Sequence, residues 1–229
     1  MVLTAHQPAY LPWLGYFQKM MLSDEYVILD TVQFEKNSFI NRNKIKTSNG
    51  ATWMTVPVLT KNYRAKTIAD MEINNDLNWR KKHWLTLLNN YKKAPFFERY
   101  GDFFKDMYTQ EWYTLVDLIN YSNKFFINEL DIKTKFINLG DLDIASKKQD
   151  LIIDLCKERK STNFLFGSQG KDYVDVEKFE LEKIEVSFQD YCHPTYRQQW
   201  GDFIPYLSVV DLLFNEGPEK SKHLIRGEK

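Results

Sequence analysis

An α/β fold with a mostly parallel sheet, helices on both of its faces and an inserted helical segment is what this sequence predicts. Three observations carry that expectation. Short apolar or β-branched runs alternate with stretches of helical periodicity, each run stops at a turn signal, and 229 residues with 43% apolar content suffice for one sizeable core. Strands that alternate with helices pair in parallel through crossover connections. The chain reads as one domain over residues 1–229, with a polar loop or hairpin at about 33–50 and a helical layer at about 77–130.

Val2-Leu3-Thr4-Ala5 opens the chain as a short buried strand that stops at the turn-forming Gln7-Pro8. Pro12 suits the first turn of a helix, where a missing amide hydrogen costs nothing, and Trp13, Phe17, Met20 and Met21 then recur at helical spacing. Tyr26-Val27-Ile28-Leu29 is the second strand. Residues 33–50 are polar and basic, while Trp53–Val58 reads as a strand whose Pro57 argues for an edge. Helices are expected around Leu77–Tyr91, Phe96–Met107 and Glu111–Glu129. A strand at Phe136–Leu139, a helix at Lys148–Lys157 and a strand at Asn163–Phe166 follow. A short helix at Tyr173–Phe179, a strand at Ile184–Phe188 and a last helix at Phe203–Phe214 complete the order.

Composition removes several classes of function. Lys plus Arg and Asp plus Glu balance at 31 each, so no bulk field favours nucleic acid or an anionic membrane. The longest apolar runs fall far short of a membrane span, and the N-terminus lacks the pattern of a secretory signal. The two cysteines, Cys156 and Cys192, have no metal-ligand spacing, and a reducing cytoplasm is the expected compartment. His-Glu-X-X-His and paired Cys-X-X-Cys patterns are absent, so no protein-held metal is expected.

Five ordered pieces extend along the chain: "HQPAYLPWLGYFQKM", "LDTVQFEKNSFINRNKIK", "WMTVPV", "LFGSQGKDYVD" and "HPTYRQQWGDFIPYLSVVDLLFNEG". Through them the sequence resembles the WbqC-like proteins, bacterial proteins associated with surface-polysaccharide gene clusters. The resemblance implies modification of a sugar or glycan precursor. The opening strand, loop, helix and strand is also similar to the front half of the nucleotidyltransferase-like superfamily, which includes pantothenate synthetase and implies a Rossmann-like sheet. The chain departs from that superfamily's His-X-Gly-His signature, because Gly15 is followed by Tyr16 and the nearby histidine is His6. That second likeness therefore carries fold alone.

His6 falls at the carboxyl end of the first strand, where ligands bind in open parallel sheets, with a helix N-terminus expected beside it. Against this stands the commoner case of a structural histidine. Gln7, Tyr10 and Gly15 belong to the same junction as substrate-binding candidates. Asp30 and Gln33 follow the second strand and would converge on the same edge, or else cap turns. In "NRNKIK", Arg42 and Lys44 are two apart and share a face of an extended segment, where they suit phosphate, with Asn41 as an amide partner. A solvated basic hairpin is the bland alternative. Ser168 and Lys171 lie in a glycine-bearing turn that lacks the Walker A and dinucleotide patterns. His193, Tyr196 and Gln198 form the last cluster; His193 is either a second candidate base or part of a rigid His-Pro turn, and neighbouring Cys192 points away from it in a strand.

Three functions are weighed. The first is a cytoplasmic transferase that adds an acyl or aminoacyl group to a nucleotide-linked amino sugar, with His6 or His193 as base, Asp30 and Gln33 positioning the acceptor and Arg42 with Lys44 on phosphate. The second is an ATP-using nucleotidyltransferase or adenylate-forming ligase, and the third a non-catalytic sugar-nucleotide-binding protein. The co-substrates left open are ATP with magnesium, or an acyl or aminoacyl donor. The partner is a small phosphorylated or nucleotide-sugar molecule, with no nucleic acid and no membrane insertion.

Overall fold

The computed structural model describes residues 1–228. Along the chain come β1 (Val2–His6), α1 (Leu14–Met21), β2 (Glu25–Ile28), β3 (Arg42–Thr47) and β4 (Gly50–Thr55). The helices α2 (Trp79–Tyr91), α3 (Phe97–Thr109) and α4 (Leu115–Glu129) follow. β5 (Lys135–Asn138), α5 (Lys148–Glu158), β6 (Asn163–Phe166), α6 (Val176–Leu181), β7 (Glu185–Phe188) and α7 (Val209–Arg226) end the order. The chain divides into two compact units: residues 1–7, 15–31 and 132–192 form unit 1, and residues 8–14, 32–131 and 193–229 form unit 2.

Unit 1 is the parallel α/β part. Its sheet has the order β5-β2-β1-β6-β7 with every pairing parallel, as the alternation of strands and helices predicts. The chain winds outward from β1 to β2 and β5, then returns to the other side of β1 and winds through β6 to β7. The order therefore reverses between β1 and β6, which makes that gap the topological switch point. At the amino end of the sheet, buried Glu25 takes a bidentate bond from Arg159 at 2.9 and 3.1 Å and an ammonium from Lys135 at 3.0 Å. The Arg159 guanidinium, and then Lys135, hold the Glu25 carboxyl below its ordinary range.

Unit 2 carries the antiparallel β3–β4 hairpin and the helices α2, α3, α4 and α7. Its core is aromatic. Phe214 stacks on Tyr91 at 5.0 Å and Phe97 at 5.6 Å and lies 5.4 Å from Phe104. Helices form in the three stretches where they are expected, as α2, α3 and α4.

Several boundaries differ from expectation; α4 begins at Leu115 and α6 occupies Val176–Leu181. α1 starts at Leu14 because Pro12 and Trp13 spend their backbone groups elsewhere: the Pro12 carbonyl accepts from Val209 and Trp13 bridges to Ser208. The strand expected at Trp53–Val58 is β4, which ends at Thr55, before Pro57. In the polar 33–50 segment the hairpin begins only at Arg42, while Phe34 donates to Lys66 and Ile68 donates to Val32. The last helix occupies Val209–Arg226, and the chain before it, from Phe203, is irregular. No helix among the described residues is long and apolar enough to cross a membrane.

Candidate functional site

In unit 1 the switch point has a definite local cause. The β1–β6 ladder ends at Thr4↔Leu165, whereas the β1–β2 ladder continues to His6↔Ile28, so β1 and β6 part over Ala5 and His6. Val2 and His6 give their carbonyls to Asp24 and Leu29 on the β2 side. By the alternation of a strand, the carbonyl of Ala5 faces β6, where the ladder has stopped. Lys19 of α1 fills that position, its Nζ donating to the Ala5 oxygen at 2.8 Å. A buried ammonium thus stands in the gap between the parted strands.

Burial lowers the Lys19 pKa to about 7, so at neutral pH the amine is close to half-protonated. His6 lies at the same strand end, with its ring edge-on to Tyr16 at 5.2 Å. Its Nδ1 is 2.9 Å from the Gln7 carbonyl oxygen. A carbonyl only accepts, so Nδ1 carries the proton and Nε2 is the basic nitrogen. Burial first, and then the charge of Lys19, lower the His6 pKa to about 4, leaving the ring neutral at pH 7. An anion brought to this gap would favour the charged Lys19 and raise His6, poising both to exchange protons.

The other expected residues of unit 1 occupy neighbouring strand ends. Asp30 follows β2 and accepts from the Gly140 amide at 3.1 Å, tying the ends of β2 and β5 together. Ser168 and Lys171 are exposed in the 3-10 turn after β6. A Cβ on Gly170 would come within 2.8 Å of Phe166, so packing requires that glycine, while Gly167 faces open space. Gly15 lies inside α1 and gives its carbonyl to Gln189 at 2.9 Å.

In unit 2 several expected residues are absorbed by buried networks. Tyr10 is fully buried, and its hydroxyl lies 2.5 Å from the Tyr108 hydroxyl and 3.0 Å from Nδ1 of His83. Burial lowers the His83 pKa to about 3, so the ring is neutral. Tyr196 donates to Asp211 at 2.9 Å, and Tyr91 donates to the other oxygen of that carboxylate at 2.6 Å. Gln198 receives Lys46 at 3.0 Å and the Ile204 amide at 2.9 Å, and returns a bond to the Ile204 carbonyl. Nε2 of His193 accepts the Tyr206 amide at 3.2 Å, which engages its basic lone pair. Asn41 is buried and donates to Val56 at 2.8 Å; Gln33 is exposed. Arg42 and Lys44 do share a strand face, over the ring of Trp53.

The sequence does not single out Lys19, Lys46 or Asp211. It holds no signal for Lys19, because beside Gln18 that residue reads as the solvent face of α1. Among the described residues no group of three His, Cys, Asp or Glu is placed to hold a metal ion.

Comparison with known proteins agrees with the motif pattern. A model of the WbqC-like protein family matches residues 7–223. The uncharacterized protein Rv1507c of Mycobacterium tuberculosis is 36% identical over 220 residues, covering 95% of each chain. No solved structure matches.

Proposed function

Since the chain belongs to the WbqC-like family, we propose that it is a transferase acting on a phosphate-bearing sugar or glycan precursor in surface-polysaccharide (O-antigen-type) synthesis. The reaction is acyl or aminoacyl transfer to a nucleotide-linked amino sugar. The observation that carries this reading is the pairing, at the switch point of unit 1, of a neutral histidine whose proton sits on Nδ1 with a buried lysine of pKa about 7. As the sugar amine attacks the donor carbonyl, the new carbon–nitrogen bond forms and the amine must lose a proton. Nε2 of His6 takes it and returns it to the departing group as the donor's acyl bond breaks. A substrate phosphate near Lys19 raises the basicity of His6, so the base strengthens when the substrate arrives. Asp30 supports the site by fixing the ends of β2 and β5.

The test is a thermal-shift screen of acyl and aminoacyl donors, ATP and nucleotide sugars, followed by a turnover assay on the hits. His6→Ala is expected to lower kcat by about 10²–10⁴-fold, the usual worth of a general base. Full turnover in His6→Ala would overturn this mechanism. The sheet order favours one second reading, because nucleotides bind at a switch point of this kind. An ATP-using nucleotidyltransferase or adenylate-forming ligase would release pyrophosphate or AMP, which the same assay measures.

A further inference from the structure

The hairpin of unit 2 places its charges and rings with little tolerance. Lys44 is the direct cross-strand partner of Trp53, and Arg42 stands two residues along the same face. The Arg42 guanidinium carbon lies 4.3 Å and the Lys44 Nζ 4.9 Å from the Trp53 ring centre. Trp53 nevertheless remains 40% exposed and Phe39, 5.8 Å from it, 44% exposed. Trp13 lies 5.3 Å beyond Phe39 and extends the row.

Two features separate this surface from a solvated basic hairpin. Neither Arg42 nor Lys44 has a carboxylate partner among the described residues, although 31 acidic side chains were available to supply one. Arg42 is moreover held in place, one terminal nitrogen bonded to the Asn37 carbonyl and its guanidinium carbon over the indole ring, at the expense of a buried, unpartnered Nε. Two cations stacked on one ring without a counter-ion leave a local positive potential that an anion relieves. The exposed rings beside them offer flat apolar faces of the kind on which a sugar ring can lie.

We infer that this hairpin is a binding platform for an anionic saccharide, with a sugar ring on Phe39 and Trp53 and its phosphate on Arg42 and Lys44. The platform shares only its ligand class with the transferase reading and stands on unit 2 by itself. A free sugar phosphate and a nucleotide-linked sugar present the same chemistry, so the experiment includes both.

Calorimetric titration of the full chain at low salt compares a hexose 1-phosphate, a nucleoside diphosphate hexose, the nucleoside diphosphate alone and inorganic phosphate. The hexose 1-phosphate is expected to bind about tenfold tighter than inorganic phosphate, since ring stacking adds roughly one unit in log affinity. A preference for the diphosphate hexose over both its nucleotide and the hexose 1-phosphate supports the platform and identifies the nucleotide-linked source. Trp53→Ala should remove the sugar advantage and leave inorganic phosphate binding in place. Arg42→Gln with Lys44→Gln should weaken every ligand. Unchanged melting temperatures check that these partly exposed sites leave the fold intact. Equal affinity for inorganic phosphate and its hexose ester, equal affinity for the nucleotide with and without hexose, or indifference to Trp53→Ala each overturns the inference, as does absence of binding. The readout is binding without turnover, so a failure here and a failure at His6 are told apart.

Discussion

Lys19 is the residue whose environment does most to set the chemistry of unit 1. Its charge is the second cause, after burial, of the low pKa of His6. Lys19→Met removes that charge while filling the same space, so the His6 titration should move upward from about 4 toward the ordinary histidine range. Following the His6 ring protons by NMR from pH 3 to 8 measures it, and an unmoved midpoint would sink the assigned coupling. The contrast between His6 and Lys19 shows how far single residues are legible in sequence. A histidine at a strand end beside Gln-Pro announces itself, because strand ends are where open sheets bind ligands. A lysine inside a helix reads as surface, and only the buried carbonyl it serves reveals otherwise. Tyr196 and Gln198 mislead in the opposite direction, since their polar groups look available until Asp211, Lys46 and Ile204 are seen to occupy them.

At the level of elements, alternation of apolar runs and helical stretches was enough to predict a parallel sheet in unit 1, while the final helix lies later than the expected Phe203–Phe214. The expected helix ends at Phe214, yet α7 continues past it with a kink at Gly217, which takes φ 73° and ψ 179°. The Phe96 ring fills the space a side chain would need, at 2.4 Å from a Cβ built there. Gly217→Ala should therefore destabilise the protein by about 3 kcal/mol, combining left-handed strain with a ring that must move. Urea unfolding monitored by circular dichroism measures this, and a loss below about 0.5 kcal/mol, the scatter of neutral surface changes, would be inconsistent with the geometry. The glycines after β6 should behave differently from one another. Gly170→Ala crowds Phe166 and Phe188 and should cost about 1–3 kcal/mol, whereas Gly167→Ala meets nothing within 4 Å and should leave the melting temperature unchanged.

For the whole molecule, stability should depend on pH through its buried histidines. His6 and His83 have folded pKa values near 4 and 3 against an ordinary value of 6.5, so both must stay neutral in the native state. The unfolded chain takes up their protons as pH falls through 6.5, and the native state does not until pH nears 4 and then 3. The contribution of these two histidines is thus fully present above pH 6.5 and falls below it, by at most about 1.4 kcal/mol per pH unit for each. Urea midpoints between pH 7 and 5, where most carboxylates remain ionised, should fall accordingly, and His83→Gln should flatten part of the slope; a flat wild-type profile would contradict the burial. The placement of β1 also bears on how the protein is made. β1 is the central strand of its sheet and precedes β6 in the chain, and its bond from the Thr4 hydroxyl to the Leu165 carbonyl closes 161 residues of chain. On the ribosome β1 waits, with one side unpaired, until β6 emerges, by which time all of residues 32–131 has been released. Such long-range closure makes folding slow and exposes an open strand edge meanwhile, so yield in cells should respond to chaperone supply and translation speed more than equilibrium stability would suggest.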